Sequence, residues 1–271
     1  MDYSIVELEK KDVPGIDAIK PDTWSSITVI HDYYLGTASA KCAKALAPSG
    51  EILGIGTGLV FEKTGWLAHI IVDGKFQNRG VGTGLVENRI RLLRERYGCT
   101  SITLTATDQG YPVYKKLGFR EQSKYIVLIK NVNASTGKTD TDRVCSIGKN
   151  HIDEVLYIDR LVSGENRRDF LLPILNTGLA YVKNNTVYGF HVPGFGDGGV
   201  YALTEEAGIA LLNERIRENN PIFIPEENET GYQFLLSSGY TEVKRIHRML
   251  LGEEYLRKPE LCYSRIGGFA G

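Results

Sequence analysis

The chain has 271 residues, 42% of them hydrophobic and 24% charged, with a formal net charge of -1. These are ordinary values for a globular protein, and the balanced charge excludes the basic footprint of a nucleic-acid binder. No apolar run reaches the length of a membrane span, and Met1-Asp2-Tyr3-Ser4 lacks both the basic flank and the apolar stretch of a secretory signal, so the expected setting is the cytoplasm, with no membrane partner. Cys42, Cys99, Cys145 and Cys262 lie far apart, with no C-x-x-C pair and no His at ligand spacing, which argues for reduced structural thiols rather than a metal site or a disulfide framework. The sequons at Asn133, Asn184 and Asn228 carry no weight in such a chain. The length accommodates two domains, each able to bury a core.

Tyr3–Leu8 reads as a short strand, and Asp12-Val13-Pro14 then offers an N-cap with proline in the first helical turn. Lys41–Ala47 and Ile52–Phe61 read as strands joined by Pro48-Ser49-Gly50, and Glu62–Gly65 turns the chain into Trp66–Val72, completing an antiparallel meander. Leu85, Val86, Ile90 and Leu93 then recur at helical spacing against Glu87, Arg89, Arg91, Arg94 and Arg96, with Gly98 as a C-cap. Ser101–Ala106 alternates as a strand, Tyr111–Leu117 forms a short helix ended by Gly118, and Tyr125–Ile129 returns as a strand. The small polar residues 131–143 lack periodicity and read as a linker. Beyond it, Gly231–Glu242 aligns without gaps on Gly110–Glu121, and Gly208–Glu218 and Ile222–Pro225 echo Gly84–Arg94 and Ser101–Ala106 more loosely, so two copies of one fold are expected.

Gln77-Asn78-Arg79-Gly80-Val81-Gly82, between the apolar run Leu67–Val72 and the helical stretch, is the most informative segment. Two glycines admit an anion close to backbone N–H groups, and the helix beginning there adds the positive end of its dipole, so the segment reads as a phosphate cradle. Other phosphate motifs fit worse, since a dinucleotide fingerprint needs a third glycine where Leu85 stands and no Gly-Lys-Ser/Thr occurs.

Val72, then Gln77-x-x-Gly80-x-Gly82, a helix, a strand, and Tyr114-Lys115-Lys116-Leu117-Gly118-Phe119 together resemble the GCN5-related N-acetyltransferase (GNAT) superfamily over the first half of the chain. The resemblance implies an α/β (α+β) fold of tandem GNAT-like domains, each a mixed, mostly antiparallel sheet flanked by helices. The expected layout is a catalytic domain at 1–130, the linker at 131–143, a degenerate GNAT-like domain at 144–252 and a tail at 253–271. It further implies acetyl-CoA as cosubstrate and no metal, with Gln77, Asn78, Arg79, Gly80, Val81, Gly82 and Thr83 on the pyrophosphate and Ile70, Ile71 and Val72 pairing with the pantetheine amides. Tyr114 would act as general acid toward the departing thiolate, whereas the equivalent residue of the second copy is Leu235.

The general base is not fixed by the sequence. The strand face on which the family places one carries Trp66 and Ala68, and His69 alternates to the opposite face unless a bulge intervenes, which favours a structural His69. Asp108 and His31 with Asp32 are further candidates. In the second copy, Glu205 and Glu206 near the expected helix start would repel a pyrophosphate, so that half is expected to shape the substrate side rather than bind CoA. Trp24, Tyr33 and Tyr34 are candidates for the wall of an acceptor pocket, and the glycine-rich end of the chain is expected to be loosely held. The expected activity is acetyl transfer to a primary amine of a small molecule by a monomer or homodimer. The alternatives are a catalytically inactive CoA-binding regulatory module and a protein or peptide N-acetyltransferase.

Overall fold

The structure is a computed structural model that describes residues 1–22, 24–131, 143–218 and 220–270. The chain divides into two compact units, Met1–Leu104 with Leu251–Glu253, and Thr105–Leu250 with Glu254–Gly271.

In the first unit, β1 (Ser4–Glu7) is followed by a 3-10 helix at Lys10–Ile19, α1 (Thr28–Leu35), β2 (Ala40–Leu46), β3 (Ile52–Phe61), β4 (Thr64–Val72), α2 (Val81–Arg91) and the start of β5 (Ser101–Ala106). Strands β1 to β4 form an antiparallel meander, and β5 lies parallel to the start of β4. The helix expected from the apolar periodicity continues α2 into a π-helical turn at Leu92–Arg96 and ends with Gly98 at a φ of 65°. Lys44 on β2 anchors the 3-10 helix through an ion pair of 2.6 Å with Asp12, both side chains being nearly buried. The Asp12 carboxylate also accepts from Glu9 N at 2.8 Å, so its charge is met twice.

Alternation along β3 puts Gly54, Gly56 and Gly58 on one face, and that face receives the helix. A Cβ at Gly54 would lie 2.6 Å from Ile71 O and 3.2 Å from Leu85 Cδ1, and one at Gly58 would lie 3.4 Å from Leu93 Cδ2. Leu85 and Leu93 are fully buried there, so the stripe lets α2 and its extension settle close to the sheet. Ala45, Leu53, Val81 and Leu85 form the core that holds the first turn of α2.

The second unit contains α3 (Tyr111–Lys116), β6 (Arg120–Lys130), β7 (Val144–Ser146), α4 (Ile152–Ser163), α5 (Arg168–Leu171), β8 (Leu179–Lys183), β9 (Thr186–His191), β10 (Val200–Ala202), α6 (Glu205–Arg215), β11 (Ile222–Pro225), α7 (Glu229–Ser237), most of β12 (Tyr240–Gly252) and β13 (Cys262–Ser264). Strand β6 pairs antiparallel with β11 on one side and β12 on the other, and a second sheet runs β13-β10-β9-β8-β7. The aligned segments end their helices alike: Gly118 and Gly239 take φ of 89° and 82°, and Phe119 and Tyr240 enter the core directly afterwards.

Most of the linker assigned to 131–143 lies outside the described residues. Strand β6 falls in the second compact unit because both its edges are hydrogen-bonded to strands of that unit. One expectation differs from the structure. The chain end is not loosely held. Cys262–Ser264 forms a strand on β10, Ile266 and Ala270 are fully buried, and Arg167 donates to Ala270 O at 2.6 Å.

The close seating of the helix on β3 predicts that Gly54→Val loses about 1–3 kcal/mol of stability in urea unfolding. Gly15→Ala is the control: nothing lies within 4 Å of its added Cβ, and it stays within about 0.5 kcal/mol of the parent.

Candidate functional site

Strand β4 pairs with β5 through Thr64↔Ser101, Gly65↔Ile102 and Trp66↔Thr103, and the parallel register ends there. Its pairing with β3 continues to Val72 but shifts register, because Thr57 faces Ala68 and Ile55 faces Ile71. Gly56 is thus opposed by both His69 and Ile70, and His69 takes a φ of 48°. This is a β-bulge, which bends β4 and turns its backbone edge away from the ladder. The edge at Ile70, Ile71 and Val72 can accept an extended amide-bearing chain.

The segment that follows is tied to the end of this strand. Gln77 Nε2 donates to Val72 O at 3.2 Å, and a Cβ at Gly82 would lie 3.4 Å from Val72 Cγ2. Asn78 and Gly80 both take left-handed φ, 60° and 84°, which Asn tolerates and Gly adopts freely. Gly80 is the N-cap of α2, and Gly80 O accepts the first helical bond from Gly84 N at 2.9 Å. No side chain caps this end, so the N–H groups of Val81, Gly82 and Thr83 point outward with the positive end of the helix dipole. The Val81 side chain is buried, leaving its backbone as the available part. Exposed Arg79 lies over the Phe76 ring at 5.8 Å and adds a cation beside the cradle. The expected pyrophosphate and pantetheine residues are therefore continuous in space: strand edge, loop and helix start.

Next to the bulge lies a group of aromatic and imidazole rings. The His69 ring centroid is 5.1 Å from that of His31, 5.6 Å from Tyr34 and 6.4 Å from Trp24, all edge-on. Tyr34 OH lies 3.2 Å from His69 Nδ1. His31 is fully buried, donates its Nδ1–H to Ile27 O at 2.7 Å, and leaves Nε2 without a hydrogen-bond partner. Burial pushes the His69 imidazole down to about 3, with His31 a smaller contributor. Burial lowers His31 as well, against the pull of the Ile27 carbonyl. Both rings are neutral near pH 7 and can accept hydrogen bonds, whereas burial opposes their protonation.

The bulge is the exception to strand alternation that makes His69 part of this group. Trp66 and Ala68, on the face where a base was sought, are buried apolar residues. The joining of His31, Tyr34 and His69 was missed because it depends on one left-handed residue inside an apolar run. Gly56 opposite was the available signal, since an isolated glycine in a strand marks a bulge or a close approach.

Two candidates belong to the second unit. Tyr114 lies on α3 with its ring edge-on to Phe119 at 5.8 Å, and burial pushes its phenol up to about 12. Asp108 sits 3.2 Å from His247 Nε2, whose other ring nitrogen meets Glu121, so this carboxylate is already engaged. Glu206, expected to repel phosphate, is paired with Lys183 at 2.9 Å and with Arg143.

Among the described residues, no group of three or more His, Cys, Asp or Glu could hold a metal, and no helix is long and apolar enough to cross a membrane. A bulged strand parts from its parallel neighbour and leads through a glycine loop into an uncapped helix. Residues 6–119 match the model of the acetyltransferase (GNAT) family. Glucosamine 6-phosphate N-acetyltransferase of Trypanosoma brucei brucei is 26% identical over 88 residues, which span 30% of this chain and 59% of that protein. A candidate acetyltransferase from Pyrococcus horikoshii shares the fold over 99% of this chain and 96% of its own, with a TM-score of 0.85 at 20% identity. A GCN5-related N-acetyltransferase from Sphaerobacter thermophilus does so over 95% and 98%, with a TM-score of 0.64 at 14% identity. The mixed α/β fold with mostly antiparallel sheets flanked by helices is thus that of GNAT structures.

The depressed imidazoles set the sign of a pH dependence. The unfolded chain carries His near the ordinary 6.5 and binds protons that the folded chain refuses, so stability falls as pH drops from about 6.5 toward 3. His69→Asn keeps a residue suited to the left-handed φ and removes one of these groups. Its urea midpoint should therefore change less than that of the parent between pH 7 and pH 5.

Proposed function

We propose that the chain is an acetyl-CoA-dependent N-acetyltransferase that acts on a primary amine of a small molecule by direct attack in a ternary complex. The observation that carries this reading is the union of an uncapped helix N-terminus at Gly80–Thr83 with the unladdered edge of Ile70–Val72. One suits a pyrophosphate, and the other suits the amides of a pantetheine arm. The amine nitrogen forms a bond to the thioester carbonyl carbon, the C–S bond breaks, the thiolate leaves with the electron pair, and the proton shed by the nitrogen passes to water while the thiolate takes one up to become the thiol. The backbone near Val72 is suited to donate to the oxyanion.

Tyr114 keeps the role that the family resemblance gives it, meeting the thiolate. With its phenol raised to about 12, hydrogen bonding contributes more than full proton transfer. The neutral imidazoles of His69 and His31, with Tyr34 and Trp24, form the wall of the acceptor side. Amino sugar phosphates head the list of acceptors, because the Trypanosoma relative is a glucosamine 6-phosphate N-acetyltransferase. The regulatory reading retains one specific support, the absence of a carboxylate on the Trp66/Ala68 face.

Two measurements test the assignment. Equilibrium titration of the full chain with acetyl-CoA should show binding, and Gly82→Glu should weaken it by more than about tenfold, or about 1.4 kcal/mol, by placing a carboxylate among the phosphate-facing N–H groups. Thiol release over a panel of amines should then find an acceptor. On that acceptor, Tyr114→Phe should lower kcat by about 10²-fold or more while acetyl-CoA affinity holds. Binding without turnover on any amine would leave the regulatory module standing and sink the enzyme.

A further inference from the structure

The second unit repeats the strand–helix–strand order of the first, β10–α6–β11 after β4–α2–β5, but the gap after its first strand is filled. Strand β13 pairs antiparallel with β10, Val200↔Ser264 and Tyr201↔Cys262, and Arg265 N reaches across to Phe223 O of β11 at 2.9 Å. Asn228, the N-cap of α7, donates its side-chain amide to Cys262 O at 3.0 Å. The chain's own backbone thus satisfies both sides of the opening.

The fit is built into the surrounding glycines. A Cβ at Gly208 on α6 would lie 2.1 Å from Tyr263 Cζ, and one at Gly231 on α7 would lie 2.9 Å from Tyr263 Cδ1. Gly199 and Gly196 make the same room for Ile266, with clashes of 2.4 Å to its Cγ1 and 2.1 Å to its carbonyl oxygen. Asp197 N donates to Ile266 O at 2.7 Å, and its carboxylate takes Arg265 Nε at 2.6 Å. Both Tyr263 and Ile266 are buried.

We infer that residues 262–266 are the permanent occupant of a strand-accepting cleft in the second unit, standing where the first unit offers its open edge, so that each chain takes up one acyl-CoA and not two. The inference rests on the acetyl-CoA reading for what the first unit holds, and on the backbone pairing for what the second unit excludes. It explains why glycines stand at Gly199 and Gly208, where any side chain would meet Ile266 or Tyr263.

Native mass spectrometry of the full chain with acetyl-CoA should show one ligand per chain, and Gly82→Glu should show none. Two per chain, or one remaining in Gly82→Glu, would overturn the inference. Hydrogen exchange on the same protein supplies a readout independent of CoA. The amide of Arg265 should exchange as slowly as that of Tyr201 on β10, and free exchange through 262–266 would overturn the occupied cleft even if one ligand bound. No CoA binding at all, together with protected 262–266 amides, would refute the acetyl-CoA reading and leave the occupied cleft supported.

Discussion

The parting of β4 from β5 is the constraint on which the candidate site depends. Parallel strands that stayed in register beyond Trp66 would consume the backbone groups of Ile70–Val72 in a ladder and leave no edge for a ligand. The bulge at His69 prevents this by adding one residue against Gly56, which bends the strand and aims its end at the glycine loop. A left-handed residue with a large side chain costs backbone energy, and the surrounding packing has to sustain it. Tyr34, His31 and Trp24 supply that packing, so the rings beside the strand support the shape of the edge as well as the wall of the proposed pocket.

Glycine serves different ends at different places among the described residues. On β3 it brings a helix close to a sheet, at Gly80 it supplies a left-handed N-cap, and around Tyr263 and Ile266 it makes room for another segment of the chain. In composition these uses are identical. Only the neighbours distinguish them, through Leu85 in the first case, open space around Gly80 in the second and buried side chains in the third.

Much of the fold was legible because it obeys simple periods. Ile52–Phe61, Ser101–Ala106 and Ile222–Pro225 coincide with the observed strands, since each is bounded by turn residues and rich in residues that suit a pleated sheet. The helix after the glycine loop was legible in its register, although its first turn starts at Val81, among residues that look like loop. Helix α1 went unread, as its polar and aromatic residues at Thr28–Leu35 give little periodicity. The chain end was misread because its glycines suggest looseness, whereas the side chains between them, Tyr263, Ile266 and Phe269, are buried. The loop and strand edge were legible as a motif. The imidazole cluster was not, since it joins residues 24 to 69 through tertiary packing alone.

The membership of β6 in the second unit and of Leu251–Glu253 in the first bears on how the chain can be taken apart. Ser101 Oγ donates to Glu253 O at 2.7 Å and Glu253 N to Thr100 O at 3.1 Å, so a fragment ending near residue 131 lacks groups that its own β5 needs. The complementary fragment starts without β6 and exposes one edge each of β11 and β12. Cutting at the polar segment therefore yields two pieces with open strand edges, suited to reassociating with each other or to sticking to unrelated sheets.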